Sequence, residues 1–319
     1  MDRLTALGLE VRPPTRDDAQ PIFELISAVD TFDFGAVDMT VEDVRAEMAQ
    51  TDLEADAWLV WHDGTPVAFA ALQLRAGVQH RGQVSVHPEW REQGIGSALA
   101  GALEERATAK LPQAPARAEV TLVGWVKSGS PALGWARGLG FAWARRFLRM
   151  RIDMTAAPPP ASWPPGIAVR TFVPGRDERA THAALEEAFA DHWGHVHTPF
   201  EEWVTRTQRP DFDPGLWFLA VDGGRVVATA TNSVIPDNLG WISGLGVVPS
   251  HRRRGLARAI LLHSFAEYRR RGMTGVALGV DADSLTGATR LYESVGMTVE
   301  EAYDQVRKVL RDGIPQETA

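Results

Sequence analysis

The chain has 319 residues, about twice the length of one ordinary compact domain, with 45% hydrophobic and 23% charged residues, which predicts two globular domains and excludes a disordered or low-complexity chain. With 33 Lys+Arg against 41 Asp+Glu the net charge is −8, which argues against a generally basic nucleic-acid binder, and the absence of cysteine removes disulfides, thiolate metal ligands and a cysteine nucleophile. The chain has no apolar run of membrane-spanning length and no secretory leader pattern at its start, so no membrane association is expected and the cytoplasm is the default.

In chain order, a short strand at Glu10–Arg12 leads into helices rich in Ala and Glu. A hairpin follows, turned at Asp63-Gly64 between apolar strands. A strand ending at Val86 then passes through His87-Pro88 into the loop Arg91-Glu92-Gln93-Gly94-Ile95-Gly96 and a long helix. Five prolines lie between Thr155 and Pro165 and predict a stiff linker at 156–165, separating an N-terminal domain (1–155) from a C-terminal one (166–319). The second half opens on a strand at 168–171 and has its own hairpin at Asp222-Gly223-Gly224. A strand ending at Val247 runs through Val248-Pro249 into Arg252-Arg253-Arg254-Gly255-Leu256-Ala257. Leu256, Ile260, Leu261, Phe265 and Tyr268 then repeat at helical spacing up to Gly272. A buried strand at 276–280, a short helix at about 286–295 and a last strand near 303–310 complete the chain.

The two halves match each other. Gly8-Leu9-Glu10-Val11-Arg12 pairs with Gly166-Ile167-Ala168-Val169-Arg170, and Trp58 to Gly64 pairs with Trp217 to Gly223. Val86-His87-Pro88 with Arg91 and Gly94 pairs with Val247-Val248-Pro249 with Arg252 and Gly255, and Gly140-Phe141 pairs with Gly296-Met297. Four ordered landmarks at nearly constant offset describe a tandem duplication of one α+β domain with a mixed sheet flanked by helices.

The strand-to-helix loops carry the chemistry. A helix N-terminus presents unpaired N–H groups and the positive end of a dipole, so it attracts phosphate. Small residues at Gly94 and Gly96, or Gly255 and Ala257, allow close approach, and Arg252, Arg253, Arg254 and Arg258 add cations in the second copy. Neither loop is a Walker sequence or a dinucleotide fingerprint, since no Gly-Lys-Ser/Thr follows and Leu99 or Ile260 takes the third glycine position.

Both loops resemble the acetyl-coenzyme A pyrophosphate loop of the GCN5-related N-acetyltransferase (GNAT) superfamily. The second copy adds Val280-Asp281-Ala282-Asp283-Ser284, Ala288, Leu291-Tyr292-Glu293 and Gly296-Met297, with Ser284 where Asn is usual and Met297 where Phe is usual. The resemblance implies acetyl-CoA as cosubstrate, held by the backbone around Leu245, Gly246 and Val247, by the loop Arg252, Arg253, Arg254, Gly255, Leu256, Ala257 and Arg258, and by Ser284. The same positions in the first copy are Val84, Ser85, Val86, Arg91, Gly94, Ile95 and Gly96. It further implies direct attack by an amine in a ternary complex, with Tyr292 protonating the leaving thiolate. The first half has no tyrosine and carries Ala136 at the matching position, so it is expected to be catalytically degenerate, either still binding coenzyme A or structural.

The general base is expected from the acceptor-side segment Asp191 to His197, as His192, or from Glu201 just beyond it, with a water chain as the alternative. Three histidines there (His192, His195, His197) also raise a metal site, which the chemistry does not require; no metal is expected. The expected acceptor is the primary amine of a small molecule, with no nucleic-acid or membrane partner, and the protein a monomer or homodimer. The alternatives are a non-catalytic acyl-CoA-binding or sensing protein and an acetyltransferase for protein N-termini or lysines.

Overall fold

The computed structural model describes residues 2–314 apart from 36, 38, 76, 194, 196, 285 and 286. Its strands are β1 (Glu10–Arg12), β2 (Ala57–His62), β3 (Thr65–Arg75), β4 (Gln79–Val86), β5 (Val120–Lys127) and β6 (Ala142–Asp153). They are followed by β7 (Ile167–Thr171), β8 (Phe218–Asp222), β9 (Arg225–Ile235), β10 (Leu239–Val247), β11 (Gly275–Asp281) and β12 (Thr298–Arg311).

Two compact units form, and neither is a continuous half of the chain. Among the described residues, one comprises those up to Arg145 together with those from Tyr303 onwards, and the other Arg146–Ala302. These bounds depart from a cut at the 156–165 linker, because each half lends its last strand to the other unit. In the first unit β12 runs antiparallel to β5, from Tyr303↔Lys127 to Arg311↔Val120. In the second, β6 runs antiparallel to β11, from Gly275↔Asp153 to Asp281↔Phe147. The 156–165 segment belongs to the second unit, where Ala161 and Trp163 pack against its core and the Trp163 ring meets His263 edge-on at 6.0 Å.

Within each unit the sheet is antiparallel except for one pair. β1, β2, β3 and β4 neighbour in turn, and β4 then pairs in parallel with β5. β7, β8, β9 and β10 repeat that order, with β10 parallel to β11. The helix Ile95–Ala109 buries Ile95, Leu99 and Leu103 with Leu122 of β5. The helix Leu256–Arg270 buries Leu256, Ile260, Leu261 and Phe265 at the spacing read from the sequence, each such side chain contributing about 1.5–3 kcal/mol. Tyr268 fixes that helix to its sheet, its single hydroxyl proton shared between the Ser233 and Trp241 carbonyls, both at 2.8 Å.

The duplication extends to ion pairs. Arg12 holds Asp18 bidentately at 2.8 and 2.7 Å, and Arg170 holds Asp177 in the same way. The Arg12 guanidinium keeps the Asp18 carboxyl down at about 2. Among the described residues no helix is long and apolar enough to cross a membrane.

Candidate active site

The site begins where a parallel pair comes apart. β10 and β11 pair from Leu239↔Gly275 to Ile242↔Leu278, and their registered pairing stops there. β10 keeps its other partner, β9, as far as Val247↔Ala228, but with a register break between Ile242 and Gly244. Such a bulge re-aims the strand beyond it. Val248 N–H donates to the Val227 carbonyl at 3.0 Å. By the alternation of an antiparallel ladder, Gly246 N–H then also faces β9, while the N–H groups of Leu245 and Val247 turn into the gap beside β11. Leu245 and Val247 thus retain donors for a bound carbonyl, and Gly246 does not. Its part is steric: a Cβ there would lie 2.9 Å from Ala188 Cβ, so glycine lets the helix Glu178–Phe189 pack against β10.

In the first unit the parallel pairing of β4 and β5 likewise stops, at Arg81↔Val123. His87 N–H donates to the Val67 carbonyl at 2.9 Å, so Val84 and Val86 face the gap and Ser85 N–H is held by β3. The β3–β4 register, however, runs unbroken from Ala68↔Val86 to Arg75↔Gln79. The bulge is confined to the second unit.

The two loops share a backbone. Glu92 and Arg253 are left-handed at φ +63° and +62°, and Gly94 and Gly255 both stand at +85°. Glycine tolerates that conformation, and the succession turns consecutive N–H groups inward as an anion nest. Each glycine N-caps a 15-residue helix with no side-chain cap bond, which leaves the first amides available. The side chains of Ile95 and Leu256 are buried in the cores, so only their backbone can reach a ligand.

The leading arginines are engaged within the protein. Arg252 donates to the Val247 carbonyl at 3.2 Å, to the Ala188 carbonyl at 2.9 Å, and to both carboxylate oxygens of Asp191. Arg91 repeats the pattern, with Val86 O at 3.2 Å and both Asp33 oxygens at 2.7 Å. Both guanidinium groups are struts between loop and preceding helix. Arg254 leans towards Asp222 at 3.7 Å, where His251 Nε2 also sits at 3.1 Å. Arg253 and Arg258 are exposed and, among the described residues, have no ionic partner. The free cations of the site are therefore Arg253 and Arg258.

Tyr292 lies on the helix Ala288–Ser294, 7% exposed, and burial pushes its phenol up to about 12. Its hydroxyl makes no hydrogen bond among the described residues. Ser284 sits in the turn after β11, its N–H donating to the Asp281 carbonyl at 3.2 Å; Leu285 and Thr286 lie outside the described residues.

On the acceptor side, His192 follows directly on the Asp191 strut. Its N–H donates to the Phe189 carbonyl at 2.9 Å and its ring meets Phe189 edge-on at 4.5 Å. Burial lowers its pKa below the ordinary imidazole value, against the opposing charges of Asp191 and, from the end of β11, Asp281. His195 and His197 are drawn away to Glu186, at 3.4 and 2.6 Å. Glu201 stands exposed on the turn Phe200–Trp203, with no ionic partner among the described residues. No group of three or more potential ligands with metal-binding geometry occurs among the described residues. Asp281 and Asp191 were not singled out from the sequence as site residues, and only their neighbours in space reveal them.

The matching places in the first unit hold other chemistry. Asp33 corresponds to Asp191, which puts Phe34 at the place of His192, and the Lys127 ammonium lies 5.5 Å from the Phe34 ring. Ala136 stands for Tyr292.

Comparison with known proteins finds relatives for both halves of the chain. Residues 182–297 match the acetyltransferase (GNAT) family model, and residues 54–142 match an acetyltransferase (GNAT) domain model. A mycothiol acetyltransferase of Thermomonospora curvata is 37% identical over 239 residues, covering 74% of this chain and 76% of its own. The crystal structure of a GCN5-related N-acetyltransferase from Sphaerobacter thermophilus superposes with a TM-score of 0.82 at 38% identity, covering 100% of this chain and 99% of that one. A tandem GNAT protein from the clavulanic acid biosynthesis pathway shares the fold, with a TM-score of 0.72 at 17% identity, covering 96% of this chain and 100% of that one. Two matched domains on one chain give a layout like that of mycothiol synthase. The chain belongs to the GNAT acetyltransferase family, with two of its domains in tandem.

Proposed function

We propose that the second domain transfers acetyl from acetyl-coenzyme A to the primary amine of a small molecule, by direct attack in a ternary complex. The observation that carries this reading is the β10 bulge beside the gap faced by the N–H groups of Leu245 and Val247, which the matching strand β4 of the first unit lacks. Those amides would hold the thioester carbonyl and stabilise the negative charge that develops on its oxygen. The amides opening the Leu256–Arg270 helix, with Arg253 and Arg258, would hold the pyrophosphate. His192, kept neutral near pH 7 by its lowered pKa, would accept the proton of the attacking amine. As the carbon–sulfur bond breaks, Tyr292 would share its proton with the departing coenzyme A sulfur; a phenol near 12 is fully protonated at neutral pH and so available as that donor.

Relatives that bear the name mycothiol acetyltransferase guide the choice of acceptor. The deacetylated amine form of mycothiol is thus the first acceptor to test, beside simple amines. Thiol release from acetyl-coenzyme A reads the reaction without background, since the protein has no cysteine. For an acceptor that itself bears a thiol, product mass replaces that readout. Amine-stimulated turnover supports the proposal. Hydrolysis that no amine accelerates would refute it and leave an acyl-CoA-binding protein.

A further inference from the structure

The first domain repeats the anion loop and then covers it. The indole of Trp135, on the helix Pro131–Gly138, reaches the first turn of the helix Ile95–Ala109, where its Nε1 donates to Ser97 Oγ at 3.0 Å. A Cβ built on Gly96 would meet Trp135 Cζ2 at 3.6 Å and Val86 Cγ2 at 3.7 Å. The ring and the strand end therefore both stand within van der Waals reach of that turn. Counting back from Gly140 and Gly296, Trp135 corresponds to Leu291, a smaller side chain packed on the second core. Counting forward from Gly94 and Gly255, Ser97 corresponds to Arg258, and Glu92 corresponds to Arg253. Both free cations of the second loop are thus replaced in the first, one by a carboxylate and one by a hydroxyl already bonded to the indole. Phosphate meets a negative charge and an aromatic ring at the place where the second loop offers two guanidinium groups.

We infer that Trp135 is a built-in cover over the first domain's phosphate cradle, so that the first domain binds no coenzyme A and each chain carries one. The inference rests on the reading that the second loop is a coenzyme A site. Exchange of the loop identities tests it on the full chain, with coenzyme A titrated calorimetrically at low ionic strength. Wild type is expected to bind one molecule per chain. Arg253→Glu with Arg258→Ser, both at exposed positions, is expected to weaken that site about tenfold or more. Glu92→Arg, Ser97→Arg and Trp135→Leu together are expected to add a second, salt-sensitive site and to leave amine acetylation unchanged.

Two molecules bound by wild type would overturn the inference. So would one molecule bound with unchanged affinity after Arg253→Glu and Arg258→Ser, because it would then sit in the first domain. A first-loop triple variant that melts as a folded protein and still binds one molecule would show that the indole and the lost cations do not close the cradle, and would overturn it as well. If the triple variant fails to fold, the first two titrations decide the matter. No binding by wild type would instead refute the coenzyme A reading of the second loop.

Discussion

Arg252 and Asp191 distinguish a strut from a phosphate clamp by free energy. Replacing Arg252 with Ala removes its fork on Asp191 and its bonds to the Val247 and Ala188 carbonyls. The two side chains are 25% and 52% exposed. Charge-assisted bonds contribute about 1.5–3 kcal/mol when buried, and exposed pairs about 0.2–1 kcal/mol, so solvent screening sets this coupling at about 1–2 kcal/mol. Asp191→Ala removes the pair alone, whereas Arg252→Ala also strips two carbonyls of a donor and should cost about 1–2 kcal/mol more. A double-mutant cycle in urea unfolding measures the coupling, and the KM for acetyl-coenzyme A is followed in the same four proteins. As a strut, Arg252 should give a coupling above about 1 kcal/mol, and Asp191→Ala should raise KM by letting the loop relax. If the coupling is near zero, or if Asp191→Ala tightens acetyl-coenzyme A binding by freeing the guanidinium, Arg252 is a clamp and the reasoning is wrong. The matched pair Arg91 and Asp33 serves as control: the same coupling in stability, with no change in KM.

Tyr292→Phe should lower kcat about 10²–10⁴-fold with KM for acetyl-coenzyme A little changed; equal turnover across pH would remove Tyr292 from the chemistry. Because burial raises the phenol to about 12, kcat should show no alkaline fall from this acid below that pH, and stopped-flow rates to pH 10 would expose any earlier loss. His192 must be neutral to act as base and its pKa is lowered, so kcat should rise with pH through a value below 6.5 and then level off. His192→Asn should abolish that limb; a limb that persists in the variant assigns the base elsewhere. Residues 1–155 and 166–319, expressed separately, should each fail to give a cooperative melt, since each lacks a strand of its unit, whereas co-expression should yield a complex that copurifies. A native-like melt from either piece alone would contradict the strand exchange.

The strand-to-helix loops, the hairpin turns and the buried stripe of the Leu256–Arg270 helix were legible because each depends on local chemistry: a glycine at positive φ, a tight turn, a 3.6-residue period. The duplication was legible for the same reason, repeated. Strand partners were not. The apolar residues near 303–310 mark a strand but say nothing about whether β5 or β11 stands beside it. The bulge in β10 was also hidden, since it needs a register mismatch with β9 rather than a particular residue. The engagement of Arg252 was hidden too, because its partner, Asp191, lies 61 positions away in sequence. Trp135 showed no signal at all, since its effect depends on two helices meeting.

The exchanged strands bear on how the protein is made and kept. During synthesis the first unit cannot complete its sheet until the residues after Tyr303 have left the ribosome, so its edge at β5 waits through the whole production of the second. For the second unit, β6 is made early and must remain available until β11 arrives. The same arrangement constrains the protein's history. Deleting the first half of the chain would remove β6 and uncover the edge of β11, so a truncation that discards the first copy would also dismantle the second.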